Sequence, residues 1–540
     1  MQSTSDGFVS LFIDTARRHG ERVFATCESS TLRFADLERQ SRAFALNTRG
    51  LGLKPGDRIA IMLPNSPAVM AALYGIARGG FVWVPVNPEH RGASLAHLLE
   101  HSAPSMIIYE AACRDALVQC GVPLERMVQI VVGETAQNGA DALAALLDGD
   151  PVCELAEPRR DDTFAIMYTS GTTGRPKGVQ VTHGMMRFAA RAAIELADAR
   201  DHDVLFMWEP LYHIGGAQVL LMPLLRQVRV AMVPRFSASR FWQQVKDAGA
   251  THIHYLGGVL QILMKQPASD SDRAHGVRVG WGAGCLPDTW HAFRERFGIE
   301  LREAYGMTET SSIASINGSG QAGSVGHAVP WFDIEVVDAA GRPVPRGERG
   351  EIVVRPKQPG CVFPGYFRDP DTTARVLRGG AVHTQDIGSF DASGALTFHG
   401  RMTDSIRCRG ENVSAWEIEH VLGAHEAIED CAVIGVAAEV GEQDIKLFVQ
   451  FKAGHAAALD ALSAWLAARL APFQNPRYIE VVDGFARTPS QRIIKHVLPA
   501  DVAASWDRLA AAPECASRGA HAEPAAVAAS FDTAAGASQP

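Results

Sequence analysis

One loop concentrates side chains that handle phosphate. The segment 164–178, FAIMYTSGTTGRPKG, runs from a strand-like apolar stretch into Thr169, Ser170, Gly171, Thr172, Thr173, Gly174, Pro176, Lys177 and Gly178. Glycines let the backbone turn its N–H groups inward, hydroxyls add donors, and Lys177 brings a mobile positive charge. Together they form a cradle for a triphosphate chain. The spacing is not that of a Walker loop, because Pro176 stands where G-x-x-x-x-G-K-[ST] needs glycine before the lysine. P-loop kinase chemistry is therefore disfavoured.

The elements that must hold this loop follow from the surrounding pattern. From about 58 to 306, short apolar runs (RIAIML at 58–63, FVWVPV at 81–86, SMIIY at 105–109, VLFMW at 204–208, VRVAMV at 228–233, HIHYL at 252–256) alternate with helix-period stretches. That alternation predicts an α/β fold with parallel sheets. Helices are expected at 68–78, after the turn PNSP, and at 238–248, with Ser237 as the cap. Between about 325 and 400, β runs split by Gly, Pro and Asp predict a β-rich subdomain. The charged stretch GRMTDSIRCRGEN at 400–412 then precedes a smaller α/β unit with strands at 431–436, 446–451 and 478–482. The expected domains are 1–402 and 403–501, followed by a disordered Ala-rich tail at 502–540.

Composition narrows the function classes. A chain of 540 residues exceeds one compact core, so at least two domains are expected. The 51 basic and 60 acidic residues give 51 − 60 = −9, and the basic ones are scattered, which argues against nucleic acid as a partner. Nine cysteines lie far apart with no C-x-x-C pair, which argues against zinc or a disulfide framework and for a reducing, cytoplasmic setting. Neither a signal peptide nor a membrane span is expected.

The segment YTSGTTGRPKGV resembles the signature of the adenylate-forming (ANL) superfamily, which contains acyl-CoA synthetases, luciferases and the adenylation domains of peptide synthetases. The likeness extends from about 7 to 500. It implies a small C-terminal domain that is mobile against the large AMP-binding one. REAYGMTET at 302–310 is similar to the family's Y-G-x-T-E element, which implies that Tyr305 stacks on adenine, Thr308 lies at the α-phosphate and Glu309 helps hold Mg²⁺. HTQDIG at 383–388 resembles the T-G-D element, whose aspartate, here Asp386, accepts bonds from the ribose hydroxyls. Gln385 stands where glycine is usual. In the segment 399–419, Arg401 matches a nucleotide-contacting arginine, Thr403 the hinge, and Gly410 the glycine that admits a pantetheine arm. PLYHIGG at 210–216 assigns His213 as a guard of the acyl site, and GWGAGC at 280–285 places Trp281, Gly282 and Gly284 around the substrate. Gly257 and Gly258, with Gly282 and Gly284, are read as room for a bulky or alicyclic tail or as ordinary turn glycines. In RTPSQRIIK, 487–495, the family's P-S-G-K lysine is replaced by Arg492 after Gln491. That exchange is not conservative, since Arg is a planar fork and Lys a point charge.

The resemblance implies an AMP- and pyrophosphate-forming ligase in which Lys177, Thr308, Glu309 and Arg492 are catalytic, with ATP, Mg²⁺ and coenzyme A beside a carboxylic acid. The segments IRCRGENVSAWEIE and FSASRFWQQV resemble the crotonobetaine/carnitine-CoA ligase-like branch of acyl-CoA synthetases. Two other readings are an adenylating enzyme that loads a separate carrier protein, and a degenerate member that only binds nucleotide. Which acid is activated and the oligomeric state are not legible.

Overall fold

The computed structural model describes residues 7–511 except 29, 134–141, 151–154, 156, 170–175, 319, 403–404, 409–410, 439–442, 471 and 489–491. Two sheets dominate the first 330 residues. In the six-stranded sheet Arg58–Met62, Val82–Pro85, Met106–Glu110, Val128–Val132 and Thr163–Thr169 run parallel, and Lys177–Thr182 folds back antiparallel on Thr163–Thr169. The nine-stranded sheet has a parallel centre of Val23–Cys27, Arg229–Met232, Val204–Met207, His252–Leu256, Val279–Ala283 and Glu300–Tyr305. Its edges, Ser30–Arg33 on one side and Ser315–Asn317 with His327–Ala328 on the other, are antiparallel.

Near-continuous apolar runs form these strands because helices cover both faces. All four residues of Val82–Pro85 and of Val204–Met207 are buried. The helix expected at 68–78 spans Pro67–Gly79: the Ser66 hydroxyl accepts from the Val69 N–H at 3.2 Å, Pro67 opens the first turn, and left-handed Gly80 closes the last. The second expected helix is shorter, Phe241–Asp247. Ser237 does not cap it, because its carbonyl closes a turn on the Arg240 N–H at 3.2 Å.

The β-rich region is a five-stranded antiparallel sheet of Phe332–Val337, Gly350–Pro356, Leu377–Arg378, Ala381–Phe390 and Leu396–Arg401. A separate core, including Ile406, Ile418, Leu447, Leu466 and Ile479, then lies under a sheet of Ile428–Ala437, Gln443–Phe451, Tyr478–Val481 and Trp506–Asp507. This last strand corrects the expected start of the tail. Trp506 pairs with Ile479, and Asp507 holds Arg477 at 3.2 Å, so an aromatic ring and an ion pair tie down a stretch whose composition reads as disordered. Residues 512–540 lie outside the described residues. Among the described residues no helix is long and apolar enough to cross a membrane.

Candidate active site

In parallel sheets, ligands bind beyond the carboxyl ends of the strands. The strands Val204–Met207, His252–Leu256, Val279–Ala283 and Glu300–Tyr305 end at one edge, where they deliver Glu209, Gly257, Gly284 and Gly306. The glycines there answer backbone proximity. A side chain on Gly257 would collide with the Gly284 carbonyl, one on Gly282 with the Tyr255 carbonyl, and Gly284 is left-handed at φ 82°. Gly257 and Gly282 answer close approach of neighbouring backbone: Gly257 opens the helix Gly257–Met264 and Gly282 lies within the strand Val279–Ala283.

Thr169 and Lys177 face each other in register at the mouth of the phosphate loop. Ser170, Gly171, Thr172, Thr173 and Gly174 lie outside the described residues. The Lys177 Nζ sits 5.5 Å from the centroid of the Tyr366 ring, and the Tyr366 hydroxyl donates to Glu309 Oε1 at 2.7 Å. Glu309 and Thr308 are both buried in one helical turn, Thr308–Thr310. Tyr366 thus ties loop lysine to acid, and the sequence reading missed it. A buried carboxylate a tyrosine away from Lys177 fits Mg²⁺, which takes one or two carboxylates and completes its shell from phosphates and water.

Asp386 lies opposite Arg401 on adjacent strands, with Oδ1 3.3 Å from the Arg401 Nε. Its Oδ2 accepts from the Tyr305 hydroxyl at 2.7 Å, while buried Oδ1 receives no aligned hydrogen bond. An orphaned acceptor of this kind fits a ribose hydroxyl donor. Burial raises the Asp386 carboxyl, and Arg401, Tyr305 and Arg492 oppose that rise. Gln385 is left-handed at φ 59°, the conformation that makes glycine usual there.

Arg492 belongs to the small domain's sequence yet faces the large one. Desolvation, then Arg401, pushes its guanidinium down, while Glu209 and Asp386 hold it up. Its side chain is exposed. Lys495, three residues on, is instead paired with Glu419 at 2.8 Å inside the small domain. Gln491, Thr403 and Gly410 lie outside the described residues.

Two buried acids that the sequence reading did not single out complete the site. Glu303 accepts from the N–H groups of Gly284 and, at 3.0 Å, Cys285, and from the Tyr255 hydroxyl at 2.7 Å, so it fixes the turn after Trp281. Burial pushes it up to about 7 against those donors. Glu209 lies 3.1 Å from His254 Nδ1. Burial pushes it up to about 8, with Arg492 opposing. The His254 ring packs 4.5 Å from Trp281, and burial, then Arg492, drives His213 down to about 4. Glu209 could have been noticed as a lone acid in the apolar run VLFMWEP. Tyr366 and Glu303 carry no such local signal.

Lys177 beside Tyr366 and Glu309, buried Asp386 beside Arg401, and a smaller C-terminal core are the parts expected of an AMP-binding enzyme. The AMP-binding enzyme model matches residues 12–367, and the model of that family's C-terminal domain matches 417–492. The chain belongs to this family. It is 31% identical over 504 residues to the crotonobetaine/carnitine-CoA ligase of Salmonella typhi, covering 90% of this chain and 97% of that protein. Among solved structures, ATP-bound MatB from Rhodopseudomonas palustris superposes with a TM-score of 0.81 at 25% identity over 91% of this chain and 98% of that one. An anthranilate CoA ligase in complex with anthranoyl-AMP shares the fold, with a TM-score of 0.82 at 21% identity over 91% of this chain and 96% of that one.

Proposed function

We infer that this enzyme is an ATP-dependent acyl-CoA synthetase, joining a carboxylic acid to coenzyme A through an acyl-adenylate. The observation that carries the reading is the contact chain Lys177–Tyr366–Glu309 together with buried Asp386 held beside Arg401, with Arg492 acting electrostatically on Asp386 and Glu209. A carboxylate oxygen attacks the α-phosphorus of ATP and the bond to pyrophosphate breaks. The thiolate of coenzyme A then attacks the acyl carbon, and AMP leaves with the bonding pair.

Little covalent chemistry falls to the protein, so its part is placement and charge. Lys177 and the loop hydroxyls of Ser170, Thr172 and Thr173 neutralise the departing pyrophosphate. Thr308 binds at the α-phosphate, and Arg492 brings the two anions together. Asp386 and Arg401 fix the ribose, and Tyr305 borders the adenine. Glu309 would hold Mg²⁺, which supplies charge neutralisation on the phosphates. Trp281, Gly282, Gly284 and His213 border the acid. Rotation about Thr403 withdraws Arg492 and presents the Gly410 face for thioester formation. Coenzyme A as acceptor is supported by relatives named as CoA ligases. We place the reaction in the cytoplasm.

Acid-dependent exchange of labelled pyrophosphate into ATP, without coenzyme A, tests the first step. Exchange that appears with a carboxylic acid and vanishes on chelating Mg²⁺ is expected. Its absence across a broad panel of acids contradicts the reading in favour of a nucleotide-binding member without activity. Thioester formation only with a carrier protein favours the carrier-loading reading.

A further inference from the structure

We propose that Glu209 and His254, with the indole N–H of Trp281, form a recognition site for a hydroxyl group on the acyl chain. The proposal rests on the synthetase reading for the place of the acid, and names the class of acid. Glu209 and His254 are each 4% exposed and Trp281 1%. Glu209 Oε2 and His254 Nδ1 lie 3.1 Å apart but off hydrogen-bond alignment, so both atoms lack a partner, as does Trp281 Nε1. Leaving such groups unpaired in a dry interior costs about 1–3 kcal/mol each. The Glu209–His254 pair, with the Trp281 ring 4.5 Å from the His254 ring, near the ligand-binding edge of the sheet, is what a polar ligand would satisfy.

The protein also builds around them. The Asn65 side chain donates to the Glu209 carbonyl at 3.0 Å and accepts from the Leu211 N–H at 2.9 Å, which fixes the backbone carrying the acid. The Glu209 carboxylate packs against Gly215, where an added side-chain carbon would lie 2.7 Å from Oε2. The mix of free atoms selects the ligand. Trp281 can only donate, whereas the Glu209–His254 pair offers an acceptor. A hydroxyl both accepts and donates. An ammonium only donates, a ketone only accepts, and a methylene does neither.

Calorimetric titration of the AMP-loaded enzyme with matched acids of one chain length tests this independently of turnover. The probes are plain, hydroxy-, amino- and keto-substituted alkanoic acids, on wild type, Glu209→Leu and Glu209→Gln. His254→Phe serves as the second variant if Glu209→Leu does not fold. Wild type is expected to favour a hydroxy acid over its plain counterpart by at least about tenfold, the scale of one buried hydrogen bond. Glu209→Leu or His254→Phe should bring that ratio near one, and Glu209→Gln should keep part of it. Equal binding of plain and hydroxy acids, preference for the amino or keto series, no binding of any probe, or a ratio unchanged in the variants overturns the proposal. Selective binding without pyrophosphate exchange instead overturns the synthetase reading and leaves the recognition site standing.

Discussion

Replacing Arg492 by alanine removes a small-domain cation that opposes the burial-driven rise of Asp386 and Glu209. Acyl-adenylate formation should fall by roughly 10²-fold or more, the scale of losing one preorganised charged stabiliser. Thioester formation from presynthesised adenylate should fall much less. Lys495→Ala should spare both half-reactions and lower stability by up to about 1 kcal/mol, since it breaks the partly buried pair with Glu419. Loss of adenylation from Lys495→Ala alone would reverse the two assignments. At Gln385, the left-handed φ of 59° strains an exposed side chain whose backbone N–H still reaches Glu351 at 3.1 Å. Gln385→Gly is expected to raise stability by up to about 1 kcal/mol in denaturant titration, because glycine relieves the strain and gives back part of the gain as chain entropy. Motif residues such as Asp386 and Arg492 are legible in the sequence because their neighbours along the chain announce them. Tyr366 and Glu303 are not, because the partners that define their roles lie 57 residues away at Glu309 and 48 away at Tyr255.

Element by element, the parallel strands are readable because burial on both faces demands unbroken apolar runs, and Val82–Pro85 or Val204–Met207 have them. What composition hides is a short element held by one large side chain. Trp506–Asp507 is such a case, a two-residue strand at the edge of an alanine-rich stretch. Truncation after residue 511 should leave the melting temperature unchanged. Truncation after residue 504 should lower it by several degrees, since it removes the strand paired with Tyr478–Ile479 and the Asp507 partner of Arg477. Equal melting temperatures for the two truncations would show that the strand contributes nothing. The helix expected at 238–248 shows the opposite limit: Phe241 and Val245 are buried as its periodicity requires, while the turn at Ser237 is decided by backbone contacts that periodicity does not encode.

For the whole molecule, buried titratable groups set the response to pH. Burial lowers His183 and His254 from 6.5 to about 3, and His213, His252 and His399 to about 4. An unfolded chain protonates them near 6.5 and the folded one does not, so their contribution is present above 6.5 and lost as pH falls toward 4. Glu209 and Glu303, raised from 4.5 to about 8 and about 7, act oppositely: their contribution is present below 4.5 and lost as pH rises through 7 to 8. Five histidines outweigh two acids, so the free energy of unfolding should fall between pH 7 and 4.5. Glu209→Gln should steepen that fall, because one opposing group is gone; an unchanged fall would place the Glu209 carboxyl in its ordinary range, and a shallower one below it.

An acyl-adenylate made beside Lys177, Glu309 and Asp386 and passed to coenzyme A leaves a defined set of products. The direct measurement is to incubate the full chain with ATP, Mg²⁺, coenzyme A and a panel of carboxylic acids, and to identify the nucleotide and thioester products. AMP, pyrophosphate and acyl-CoA in equal amounts are expected for at least one acid; ADP and phosphate as the nucleotide products would contradict the account.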